Sequence, residues 1–117
     1  VLEILDLSHK AFSNKDYDCA RKTEPLEQVI DVMKEELRTR HVLRLQKGEC
    51  SVSAGFIWSD LLTNLERVAD HCSNISGCVL DTLDHTMNIH ENQRIFRSND
   101  EDFRQDFKAF ENKYNLT

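Results

Sequence analysis

Apolar residues return every three or four positions along the start of the chain, with Val1, Leu5, Ser8 and Phe12 in one row and Ile4 and Ala11 beside it. That spacing lays one apolar stripe along a helix, and Ser13-Asn14-Lys15 is its expected end. Asp16 is placed to cap a second, longer helix, because a carboxylate there accepts from backbone N–H groups that a helix start leaves unpaired. The second stripe runs through Cys19, Leu26, Ile30, Met33 and Leu37 to Arg44 and Leu45, and Gln46-Lys47-Gly48 reads as its stop. Pro25 lies inside it. With no N–H and a ring that crowds the preceding turn, it predicts a kink near Thr23 or a helix start there.

The third pattern is the most regular: Leu61, Leu65, Val68, Cys72, Ile75 and Val79 alternate steps of four and three, the spacing of a bundle seam. Glu49–Ser53 forms the connection before it, with Ser51 or Ser53 as the cap. From Asp84 to Asn99 the sequence is polar and aperiodic, which predicts a loop. A final helix is expected from Ser98, with Glu101 reaching back to complete a capping box and Phe103, Phe107, Phe110 and Tyr114 on one face. The expected fold is therefore all-α: an antiparallel three-helix bundle over residues 1–83, and a C-terminal loop and amphipathic helix over 84–117 packing on the same bundle.

Composition agrees. Only three Gly and one Pro punctuate 117 residues, too few turns for a β-sandwich or barrel, and the length suits one core. No run approaches the roughly 18–20 apolar residues of a membrane-spanning helix, and Val1–Leu7 carries Glu3 and Asp6, unlike a signal peptide. The expectation is a soluble, cytoplasmic segment with no direct membrane insertion. Because it opens in helical phase with Val1, it is also expected to be a piece of a longer polypeptide. A net charge of −6 opposes binding to nucleic acid or anionic lipid and leaves cations as natural small ligands. Cys19, Cys50, Cys72 and Cys78 form no CxxC pair, and the last two sit six apart in one helix, where they cannot easily meet. Free thiols in a reducing compartment are expected, mostly as small core residues and not as a thiolate zinc site.

Two segments have the form ExxxD: Glu27 to Asp31 and Glu66 to Asp70. Residues four apart stand one above the other on a helix, so each offers two carboxylates on one face. Either pair alone reads as a solvated acidic face. If the second and third helices fold back antiparallel around residues 46–51, however, both pairs lie about 24 Å from the turn at 1.5 Å per residue. At 100° per residue their offsets from each apolar stripe have the same sense, so the pairs share a surface groove. Gathered carboxylates repel, which raises some of their pKa values unless a cation neutralises them. Hard oxygen donors suit magnesium, calcium, manganese or iron, and zinc if the imidazole of His71 joins. The alternatives are a structural interaction bundle without metal and a metalloenzyme. The second is disfavoured because the sequence has no Glu-x-x-His pairing at matching heights, no Ser-His-Asp order and no Gly-rich phosphate loop, so no enzyme activity is expected.

The stretch Leu65-Glu-Arg-Val-Ala-Asp-His-Cys-Ser-Asn-Ile75 resembles the signature of the PhoU family. The segment Ala11–Ala20 looks like that family's helix–helix junction, Glu27 to Asp31 falls where its first acidic motif does, and the resemblance covers about residues 1–83. Leu45–Trp58 and Tyr114-Asn-Leu116 look most like the PhoU-like C-terminal domain of a bacterial sodium–phosphate cotransporter family protein. The resemblance implies a regulatory domain of phosphate transport, with metal ions on the bundle surface held by Glu27, Asp31, Glu66 and Asp70. Arg67, His71 and Asn74 would be groups behind those ligands or contacts to a partner. The implied partners are a membrane transport domain of the same or another chain and further copies of this one, because family domains usually join two three-helix repeats and this chain has one.

Overall fold

The chain first reverses at Lys15, whose left-handed conformation (φ 52°, ψ 42°) ends α1 (Leu2–Asn14). Helix α2 (Tyr17–Gln46) starts just beyond it, and Asp16 caps it as expected. The Asp16 carboxylate accepts from the Cys19 N–H at 3.3 Å, and that bond holds the carboxyl below the usual range. Gly48 makes the next reversal at φ 71°, a conformation that a Cβ would strain. The Ser51 hydroxyl then accepts from the Ala54 N–H at 3.1 Å and caps α3 (Val52–Asp84). The last helix is α4 (Ile89–Lys113). The computed structural model describes the backbone of residues 1–84 and 89–116 and the side chains of 1–83 and 101–116.

Helix α3 folds back antiparallel on α2, α1 lies against both, and α4 lies on α2. Arg21 near the start of α2 pairs with Asp102 and Asp106, while Glu3 near the start of α1 meets Lys113 and Tyr114. Helix α4 therefore runs parallel to α2. One core cluster joins all four helices through Ile4, Leu26, Val29, Ala69, Cys72 and Phe110. A smaller one, Ala11, Ala20 and Val79, closes the end near Lys15. Burying a side chain the size of Ile4 or Leu26 contributes about 1.5–3 kcal/mol, which makes the first cluster the main source of cohesion. Helix α1 is less than half as long as either of its neighbours. Towards the α2–α3 turn, the hairpin therefore leaves Val52, Phe56 and Ile57 exposed.

Several expected faces are rotated. In α1 the buried residues are Ile4, Ser8 and Ala11, whereas Leu5 and Phe12 are exposed. In α3, Leu61 and Ile75 face outward, and the inward line is Gly55, Leu62, Ala69 and Ser76, spaced by sevens, with Cys72 and Val79 beside it. Small residues explain the rotation. A Cβ on Gly55 would stand 2.6 Å from the buried His41 ring, and the Ser76 hydroxyl donates to Thr23 across the buried interface at 2.8 Å. Small side chains let α3 approach α2 more closely than the Leu61–Ile75 line would.

Pro25 does not start a helix. It is buried within a single 30-residue helix, where the Thr23 hydroxyl donates to the Cys19 carbonyl at 2.9 Å. The loop expected over 84–99 is helical from Ile89, so Ser98 is interior to α4 and not its cap; the Ser98 side chain lies outside the described residues. Phe110 is buried in α4, while Phe103, Phe107 and Tyr114 are half-buried. The four thiols are free, but only Cys72 is a core residue; Cys19 and Cys50 are half-buried and Cys78 is exposed. Among the described residues, no helix is long and apolar enough to cross a membrane.

Candidate metal-binding face

Contacts between α2 and α3 fix their register. Thr23 meets Ser76, Glu24 accepts from the Ser73 hydroxyl at 2.5 Å, Lys34 pairs with Glu66 at 2.6 Å, and Arg38 donates to Thr63 at 3.1 Å. As numbers rise along α2 they fall along α3. Glu27 therefore stands level with Asp70 and Asp31 with Glu66.

The two ExxxD pairs do share one face. Asp31 and Glu66 both reach the same Lys34 ammonium, at 3.1 and 2.6 Å, so these carboxylates from different helices lie within two ion-pair contacts of each other. Glu27 is half-buried, and its carboxyl is pushed above the usual range. Desolvation is the largest cause, followed by the charges of Glu24, Asp31, Asp70 and Glu66, in that order. The other three carboxylates expected from the sequence are thus within electrostatic range of Glu27, and so is Glu24.

Convergence is incomplete. Among the described residues, no three His, Cys, Asp or Glu side chains meet at a point that suits a metal ion. The carboxylate oxygens of Asp31, Glu35 and Glu66 instead converge on an ammonium, a cation already standing among hard oxygen donors. Carboxylate oxygens are the donor type that hard divalent or ferric ions take. Arg67, His71 and Asn74 are exposed on the surface of α3, at positions flanking the Glu66 and Asp70 carboxylates in the chain.

Three residues of this face were not read from the sequence: Lys34, Glu24 and Ser73. Their signal was present. Lys34 lies three residues after Asp31 and seven after Glu27, Glu24 three before Glu27, and Ser73 three after Asp70, all spacings that share a helix face.

Residues 1–79 match the family model described as PhoU domain. The chain belongs to the PhoU family. All four ExxxD carboxylates fall inside the PhoU match, and α4 lies beyond it. In Thermotoga maritima, the phosphate-specific transport system accessory protein PhoU homolog 1 is 31% identical over 74 residues, which cover 63% of this chain and 32% of that protein. The matched PhoU segment thus spans about a third of its relative's length. No solved structure matches.

Proposed function

We propose that this chain is a regulatory domain of phosphate transport that binds metal on its α2–α3 face and is not an enzyme. The observation that carries the reading is the gathering of Glu27, Asp31, Glu66 and Asp70 on one face, with Glu27 held above the usual carboxylate range by its surroundings. Repulsion among them is a cost to the fold that a cation relieves. Glu27, Asp31, Glu66 and Asp70 would hold the ion, with iron, zinc and magnesium among the candidates. When bound it supplies positive charge to the face and a Lewis-acidic position able to take an anion oxygen.

The phosphate context is supported by family membership and by the name of the Thermotoga maritima relative, an accessory protein of a phosphate-specific transport system. The sodium–phosphate cotransporter setting rests on the Leu45–Trp58 and Tyr114–Leu116 resemblance. In that setting the domain lies at the cytoplasmic face, docks on the membrane transport domain of its own or another chain, and assembles with further copies of itself.

Elemental analysis of protein purified without chelator tests the site. The proposal expects metal in the wild-type protein and its loss in the folded Glu66→Ala/Asp70→Ala variant; equal metal in both removes the reading. A second reading, a structural bundle without metal, is favoured by one observation: Lys34 already neutralises part of the face. Wild-type protein without metal, even after incubation with iron, zinc and magnesium, would establish it.

A further inference from the structure

We infer that Lys34 is a tethered competitor for this cation site, an ammonium that holds the α2–α3 carboxylates together in the metal-free protein and must leave before a divalent ion binds. The inference rests on the metal-binding reading above and deepens it.

A lysine on a helix surface normally carries its ammonium out into water, because that group is strongly hydrated and its stem is flexible. Lys34 instead lays its stem along the bundle and keeps its ammonium among carboxylates. Its side chain is only 11% exposed, although Asp31 and Glu35 beside it are 53% and 65% exposed. Its Nζ lies 2.6 Å from Glu66, 3.1 Å from Asp31 and 3.4 Å from Glu35, so it bridges two helices through three carboxylates. One ammonium sits in the space that an ion shared by Asp31 and Glu66 would need.

Charge decides which cation prevails. Asp31, Glu35 and Glu66 meet this single ammonium, and Glu27 beside them feels the charges of Glu24, Asp31, Asp70 and Glu66, so the face remains negative with Lys34 in place and still attracts a dication. An ammonium brings one charge and three donors, whereas a divalent ion brings two charges and accepts six or more oxygens. The ion therefore displaces the lysine, but only above a concentration that the lysine itself sets. Four methylenes let Lys34 swing into solvent with no change in the backbone, so exchange needs no rearrangement of the bundle. Glu24 is directed elsewhere, to the Ser73 hydroxyl at 2.5 Å.

The test is calorimetric titration of manganese(II) chloride into metal-free wild-type, Lys34→Gln and Lys34→Arg proteins, each first checked by thermal melting. Lys34→Gln is expected to bind about tenfold more tightly than wild type, and Lys34→Arg, which keeps the charge, no more tightly than wild type. If wild type binds and Lys34→Gln binds equally or more weakly, the competitor role is overturned while the metal site stands. If neither binds, both fall. A second measurement needs no variant: acetylation of wild-type Lys34, followed by mass spectrometry, should accelerate several-fold at saturating manganese while the exposed Lys10 is unaffected. An unchanged Lys34 rate would overturn the inference.

Discussion

Helix α2 has two acidic flanks that are balanced in opposite ways. Towards α4, carboxylates meet cations: Arg21 pairs with Asp106 at 3.1 Å and Asp102 at 3.3 Å, while across the joint between α1 and α4, Glu3 accepts from Lys113 at 2.9 Å and from the Tyr114 hydroxyl. Burial opposes the Glu3 charge, but those two donors outweigh it and hold the carboxyl below the usual range. Towards α3, several carboxylates share Lys34, and desolvation together with like charges pushes Glu27 upward. The first flank is arranged for cohesion. The second carries repulsion around Glu27 that Lys34 offsets only in part, and the proposed cation site rests on that imbalance.

The largest effect should come from breaking the balanced flank. Arg21→Met leaves Asp102 and Asp106 side by side without their guanidinium, and urea unfolding should show a loss of about 1–3 kcal/mol. A loss confined to a few tenths would mean that α4 is held by Phe110 and its neighbours alone. Glu3→Gln should cost about 1 kcal/mol at neutral pH, because the Lys113 partner is solvent-screened. The depressed carboxyl stabilises the protein above its unfolded-state pKa and loses that contribution as pH falls through its folded value, so variant and wild type should converge in acid.

Glu27→Gln should have the smallest effect and the opposite sign. A raised carboxyl destabilises the fold when charged, so the variant should gain less than about 1 kcal/mol at neutral pH after solvent screening. As pH falls from above the folded pKa to below the unfolded one, wild type takes up the proton and the gain should vanish. If Glu27→Gln loses stability at neutral pH, the two flanks are not opposites.

Local signals were legible in the sequence and close packing was not. Lys15, Asp16 and Gly48 mark turns through backbone chemistry within a few residues, and each stands where the pattern put it. On α3 the expected seam holds at Val68, Cys72 and Val79, which pack inward, but hydrophobicity also singles out Leu61, Leu65 and Ile75, which are exposed, whereas the close approach to α2 selects Gly55, Ala69 and Ser76 for their size. The first half of α4 showed no apolar stripe, yet Glu91, Gln93 and Arg94 are good helix formers, and the helix begins at Ile89. On the acidic face, equal spacing from the α2–α3 turn foretold that the carboxylates come level. Reading the ExxxD pairs without their neighbours left Lys34 unseen.

Manganese(II) added to isotopically labelled protein tests the central claim most directly, because paramagnetic broadening of backbone amide signals falls steeply with distance from the bound ion. Broadening at substoichiometric manganese should concentrate around residues 24–34 of α2 and 66–73 of α3 and spare those around Glu3, Asp102 and Asp106. Equal broadening on both acidic flanks, or none on the α2–α3 face at saturating manganese, would contradict the account.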